Sequence, residues 1–280
     1  MKLPVSPVVL AGLSLAATAS GQVLFDGHLG TLPAAQGWSY AALPGLAQQK
    51  QTGTAVRLTT TAANVENAGY ARVATTPLNL DAGFSVALRL QLAAETHARA
   101  ERAGFSLIVL SHDQRGLELG FWTNLVFAQA DQPLFTHAED ASFDFAADAT
   151  EVVLAFRGTH YTLFAKGTPI LSGPVRNYTA FTGFPDVYET PDFLFLGDDT
   201  TSAAADVTIQ SVALVLPPSV QAPAPGVLQW TGVPGQTYTV EASDDLQSWT
   251  KLASVTSATQ QFGYTNAPAG AARFFRVAFP

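Results

Sequence analysis

The run from Arg102 to Trp122, RAGFSLIVLSHDQRGLELGFW, carries His112, Asp113, Glu118 and Trp122 among alternating apolar residues. Glu118 and Trp122 stand four apart. On a strand they share one face, about 13 Å from each other by strand rise. An indole beside a carboxylate suits a sugar ring, which stacks its apolar face on the indole and donates hydroxyls to the acid. His112, Asp113 and His137 could join such a site from loops. The plainer alternative is a packed Trp122 at a sheet edge and a solvated or salt-bridged Glu118. Further on, Gly197-Asp198-Asp199-Thr200-Thr201 places two adjacent acids in a glycine-led turn. Asp198 and Asp199 could ligate Ca²⁺, which takes about six to eight oxygens. Acids in such turns more commonly accept nearby backbone N–H groups.

Catalysis asks for more. Glycoside hydrolysis normally uses two carboxyls, about 5–5.5 Å apart in retaining enzymes and about 6.5–9.5 Å apart in inverting ones. The strand Gly116–Trp122 holds one acid, Glu118; Gly120 and Trp122 occupy the next positions on its face. His112 with Asp113, or His137 with Glu139, are conceivable acid–base pairs. Sequence neighbours on a strand point to opposite faces, so His112 and Asp113 can pair only in a turn. No Gly-x-Ser-x-Gly, His-Glu-x-x-His or phosphate-binding loop is present. His28, His97 and His160 have no metal-ligand spacing with one another.

The elements that must position these residues read as strands. Phe84, Val86, Leu88, Leu90 and Leu92 alternate with Ser85, Ala87, Arg89 and Gln91. Phe105, Leu107 and Val109 continue the pattern, but Ile108 and Leu110 make the other face apolar too, as in a central strand. Leu117, Leu119 and Phe121 oppose Glu118, Gly120 and Trp122. TEVVLAFRG and HYTLFAKGTPILSG read as adjacent strands with a turn at Lys166-Gly167. Ala93–Ala103 lacks an amphipathic stripe and reads as a loop. Many short strands with Gly and Pro turns predict an all-β sandwich or jelly roll. LPPSVQAPAPG, Leu216 to Gly226, reads as an extended connector. It divides a domain at 22–216 from a small β-sandwich at 227–280, in which Trp249 is expected to anchor the core.

Composition removes several function classes. Hydrophobic residues make up 48% of the 280 and charged residues 13%, the opposite of a disordered chain. The net charge is -8, and 14 Lys plus Arg leave no basic stripe for nucleic acid. There are no cysteines, which excludes disulfides, thiolate metal sites and cysteine nucleophiles. Residues 1–21 read as a secretory signal peptide: Lys2, the apolar VVLAGLSLAATA, and small residues near Ala19 to Gly21. No later stretch reaches membrane-span length without charges. The expected destination is secreted, cell-surface or periplasmic.

LFDG (Leu24 to Gly27), the Lys166-Gly167 hairpin and a final strand carrying Asp206 follow the order of a concanavalin-like, laminin-G-like jelly roll, and the first domain resembles that class. RAGFSLIVLSHDQRGLELGFW, PLFTHAED, NYTAF and FLFLGDDTTSA resemble more closely the choice-of-anchor Y domain of exported bacterial proteins. That resemblance supplies no activity. Tyr238 to Trp249, in the pattern Tyr-x-Val-Glu-x-Ser-x-Asp-Leu-x-x-Trp, resembles short fibronectin-III-like modules that space or attach exported proteins. The jelly-roll resemblance implies a structural Ca²⁺ tying first and last strands, with Asp26 and Asp206 in the matching places. It does not carry over a catalytic pair, because jelly-roll glucanases carry Glu-x-Asp-x-x-Glu or Glu-x-Asp-x-Glu on the strand where this chain has Glu118 alone, with Gly120 or Trp122 at the partner position. The expected function is therefore an exported, non-catalytic module that recognises glycan or another cell-surface ligand. A polysaccharide hydrolase using Glu118 is the alternative, and a structural component of envelope or matrix the second alternative.

Overall fold

The computed structural model describes residues 21–60, 66–218, 220–224, 226–232, 236–259, 261–265 and 274–278. The expected signal segment, apart from its last residue, lies outside the described residues. The chain enters through β1 (Gly21–Asp26) and two short 3-10 turns, then β2 (Ser39–Leu43), β3 (Gln48–Thr52), β4 (Ala55–Thr59) and β5 (Asn67–Val73). Next come β6 (Phe84–His97), β7 (Phe105–Leu110), β8 (Gly116–Phe121), β9 (Leu125–Asp131) and β10 (Leu134–Ser142). β11 (Thr150–Arg157), β12 (His160–Ala165), β13 (Thr168–Pro174), β14 (Phe193–Asp198) and β15 (Ala203–Val215) follow. The C-terminal strands are β16 (Gln221–Ala224), β17 (Val227–Thr231), β18 (Thr237–Ser243), β19 (Thr250–Thr256), β20 (Gln261–Thr265) and β21 (Phe274–Ala278).

β1–β15 form two antiparallel sheets packed face to face. The first has the order β13-β12-β11-β6-β15-β4-β3, with β1 also paired to β15. The second has the order β10-β9-β8-β7-β14-β5-β2. This is the all-β jelly-roll sandwich expected from the period-2 pattern. Phe84, Val86, Leu88, Leu90 and Leu92 of β6 meet Leu107 and Val109 of β7 and Leu117, Leu119 and Phe121 of β8 in one buried core. Lys166 and Gly167 turn between β12 and β13, both at positive φ.

Both sheets carry apolar side chains on their outer faces as well, and each outer face is covered. On the second sheet, Ile108, Leu110 and Phe193 are buried under Tyr178 and Tyr188 from the segment between β13 and β14. On the first, Ala87, Val153, Ala213 and Val215 are buried with Leu228, Trp230, Tyr238, Val240 and Phe262 of the C-terminal strands. Those strands form two three-stranded sheets, β16-β17-β20 and β19-β18-β21. No helix among the described residues is long and apolar enough to cross a membrane.

Three local expectations are corrected. Ala93–His97 is not loop: it continues β6, because Asp206 to Ala203 of β15 pair with Ala94 to His97. The proline-rich connector contains β16, an edge strand, where the missing N–H of Pro223 is tolerated. Trp249 does not anchor the small core; it lies ahead of β19, half-buried, with the Arg276 guanidinium 4.3 Å from its ring centre. The core aromatics are Trp230, Tyr238 and Phe262, with Phe262 stacked on Trp230 at 5.7 Å. Trp230→Ala should therefore cost about 3–5 kcal/mol in chemical denaturation, as for a buried aromatic. Trp249→Ala should cost about 1 kcal/mol or less, as for a cation–π pair at the surface. Equal costs would contradict this division.

Candidate functional site

The register of the second sheet builds a depression on its outer face. Glu118, Ile108, Phe195 and Ala71 lie opposite one another across β8, β7, β14 and β5. The next row on that face is Gly120, Ser106, Gly197, Gly69 and Ala41, with no side chain larger than serine. Phe195 packs into the space this leaves: a Cβ on Gly69 would stand 2.6 Å from its ring. Above the row, the segment between β13 and β14 crosses the sheet and brings Phe181, Phe184, Val187 and Tyr188. β10 adds Phe135. The result is a cavity of about 320 Å³, bordered by these side chains together with Ala41, Gly69, Arg102, Glu118, Asp198 and Asp199.

Two carboxyls meet in it. Glu118 and Asp199 are hydrogen-bonded to each other. The Tyr188 hydroxyl donates to Glu118 Oε2, and Ser106 Oγ donates to Asp199 Oδ1 at 2.8 Å. The Tyr178 hydroxyl accepts the Glu118 amide and donates to the Gln129 carbonyl, which fixes the strand beneath the acid. Arg102 stands over the Phe135 ring, 5.3 Å from its centre, and donates to the Phe135 carbonyl. Phe135, Phe181 and Tyr188 pack on one another at 5.2–5.4 Å. Phe184, 89% exposed, forms the outer lip.

Two carboxyls in hydrogen-bond contact cannot both ionise, so the contact requires a proton. Burial pushes the Glu118 carboxyl well above its usual range, and the adjacent Asp199 charge pushes it further. Burial also raises Asp199, but the Ser106 hydroxyl and the bond from Glu118 favour its charged form. Both carboxyls are therefore raised, chiefly by burial, and the pair holds a proton between them, with Arg102 as the nearby cation. Asp198 turns toward Thr60 and Glu66. It is fully buried, accepts the Thr200 amide at 3.1 Å, and is pushed up to about 9, chiefly by burial.

The other sequence-predicted residues lie elsewhere. Trp122 follows the end of β8. Its Nε1 donates to the Arg102 carbonyl, and its ring stacks on His97 at 4.1 Å rather than bordering the cavity. His137 stacks on Phe127 at 3.6 Å, and burial lowers its pKa. His112 Nδ1 bonds Asp192 Oδ2 at 2.9 Å, while Asp113 is held by Ser111 and Arg115. Glu139 is engaged by Arg176 and Tyr161. The expected indole-and-carboxylate platform is therefore replaced by Glu118 with Asp199.

The calcium expectation does not fit. Asp26 accepts the His28 amide and caps its own 3-10 turn. Asp206 is bound by the Arg57 guanidinium through both oxygens, which lowers its pKa. Asp26 faces Ser211, whereas Asp206 faces Thr59, about 17 Å along β15 by strand rise. Asp198 and Asp199 turn to different partners. Among the described residues, no group of three or more His, Asp or Glu side chains is placed to hold a metal ion. Missed altogether were Tyr188, Ser106, Arg102 and the phenylalanine walls.

No family model matches the chain, and no curated protein matches it either. Among solved structures it is similar to a carbohydrate esterase from Shiga toxin-encoding bacteriophage phi24B, with 18% identity over 65% of this chain and 90% of that one, TM-score 0.44. It is similar to the exoplasmic/lumenal domain of VIP36 in its metal-free form, with 12% identity over 69% and 91%, TM-score 0.43. It is also similar to the Crh5 transglycosylase in complex with NAG, with 12% identity over 71% and 84%, TM-score 0.46. With likeness this low, the fold stands on its own strand order and the site on its own geometry.

The charge assignment predicts a stability signature. A carboxyl whose folded pKa is raised holds its proton in the folded state after the unfolded chain has lost it. The folded protein thus loses stability as pH rises from the ordinary glutamate range, about 4.3, toward the folded value. Glu118→Gln mimics the protonated acid and cannot titrate. Its melting temperature should match the wild type near about pH 4. It should exceed the wild type increasingly as pH rises above that range, each pH unit adding up to about 1.4 kcal/mol until the folded carboxyl titrates. A difference that stays constant with pH would contradict the assignment.

Proposed function

We propose that this chain is an exported, surface-associated binding protein whose large sandwich recognises glycan through the cavity at Glu118 and Asp199. One observation carries the reading: the cavity joins hydrogen-bonding carboxyls to a wall of aromatic rings. Sugars need both, since their C–H faces stack on rings and their hydroxyls donate to acids. The volume lies at the lower end of ligand sites, about 300–1,000 Å³, and suits one or two sugar units. Export through residues 1–21 and a relationship to choice-of-anchor Y domains belong to this proposal. So does a spacing or attaching role for the small, fibronectin-III-like sandwich. The acidic surface, net charge -8, directs the chain away from nucleic acid.

Hydrolysis is the second reading, and the contact between Glu118 and Asp199 is the observation that favours it. The same contact ranks it second. Retaining and inverting glycosidases keep their carboxyls about 5–5.5 Å or about 6.5–9.5 Å apart, so that the scissile bond lies between them. Two carboxyls in direct hydrogen-bond contact leave no such gap.

A glycan array probed with the purified protein tests both readings. The wild type should bind a restricted set of glycans. Asp199→Asn should weaken that binding at least about tenfold, by removing a charge-assisted hydrogen bond. Phe184→Ala, at the exposed lip, should weaken it several-fold without changing the melting temperature. Binding unchanged in both variants would place recognition elsewhere. Shortened products from soluble forms of the bound glycans would favour the hydrolase.

A further inference from the structure

The floor of the cavity is neutral only because the acid pair holds a proton. Tyr188 and Ser106 each donate one hydrogen bond to the acid pair. A single proton joins the two carboxyls. Arg102 balances the one remaining charge, so the floor is neutral while that proton stays. Asp198 also borders this space, but its carboxyl is turned toward Thr60 and Glu66 and adds no acceptor to the floor. The rings of Phe135, Phe181, Tyr188 and Phe195 complete the border. Ring faces carry negative charge and attract cations.

The ligand group that answers all of this is an ammonium. It has three N–H donors and no acceptor, so it asks nothing of a floor made of acceptors. It can take the place of the shared proton and leave the floor neutral: two carboxylates, Arg102 and the ammonium. A neutral hydroxyl brings one donor and leaves the proton where it is. We propose that the cavity binds an amino sugar, its protonated nitrogen displacing the proton held between Glu118 and Asp199 into solvent. This rests on the glycan reading above and names the class of sugar. The other titratable or charged groups around the pair are Arg102, Tyr178, Tyr188 and Asp198. The two tyrosines stay neutral, because burial pushes both well above their usual range.

The test is calorimetric titration of the whole protein with glucosamine, N-acetylglucosamine and glucose, which differ only at C2. Buffers of different ionisation enthalpy count the protons. Glucosamine should bind at least about tenfold more tightly than the other two near neutral pH, with about one proton released per sugar bound. Linkage then makes its affinity fall up to about tenfold for each pH unit of acidification. Glu118→Gln should keep the fold, checked by its melting temperature, and lose both the proton release and the preference for the amine. Asp199→Asn is the second variant and should do the same. Glucose or N-acetylglucosamine binding as well as glucosamine would overturn the amine inference and leave the glycan reading standing. Glucosamine binding without proton release would also overturn it. If none of the three binds, the inference falls and the glycan array decides the reading beneath it.

Discussion

The second sheet of the large sandwich is apolar on both faces, and that constraint organises the site. Leu107, Val109, Leu117, Leu119 and Leu196 face the core, whereas Ile108, Leu110 and Phe193 face outward. An outward apolar face costs roughly 25 cal/mol per Å² left in water, so a second layer has to lie on it. The segment between β13 and β14 supplies that layer through Tyr178, Phe181 and Tyr188. It leaves a gap beside the Gly69 and Ala41 end of the small-residue row, while Phe127 covers Gly120. The cavity is what remains between a floor of small residues and a roof built for apolar cover.

Acids placed in such a gap are forced into partnership. Glu118, 2% exposed, comes from a strand whose outward face is being buried. Burial penalises its charge, so it takes a tyrosine hydroxyl, a second carboxyl and a proton. Asp199 arrives where β14 ends, held by the Ser106 hydroxyl and favoured by the Arg102 charge. Elsewhere the same economy gives ordinary ion pairs. Asp206 meets Arg57 across β15 and β4, and Glu139 meets Arg176. Those acids are matched by cations and bring no chemistry. At Glu118 and Asp199, by contrast, one acid answers another.

Much of the architecture was legible because strand period is local. The alternation in β6, β7 and β8 assigns Leu117, Leu119 and Phe121 to the core and Glu118 to the other face, as found. Glu118, Asp198 and Asp199 were all singled out, but for separate reasons. Nothing in the sequence joined them, since Tyr188 lies 70 residues from Glu118 and Ser106 lies 93 from Asp199. The small-residue row becomes visible only once the register across β8, β7, β14, β5 and β2 is known. Trp122 does share the outer face, packing against Phe127, but its indole donates to the Arg102 carbonyl and stacks on His97, which keeps it out of the cavity. Asp206 was read from its place in the chain order, while its carboxyl was already bound by Arg57, 149 residues away.

The central claim is that Glu118 and Asp199 share one proton in the cavity at neutral pH. Carbon-13 NMR of the side-chain carboxyls, followed through a pH titration and assigned with Glu118→Gln and Asp199→Asn, reads that proton directly. The account predicts a Glu118 carboxyl that remains protonated through neutral pH, with a second inflection on Asp199 showing that the two are coupled. Two independent transitions in the ordinary carboxylate range would contradict it.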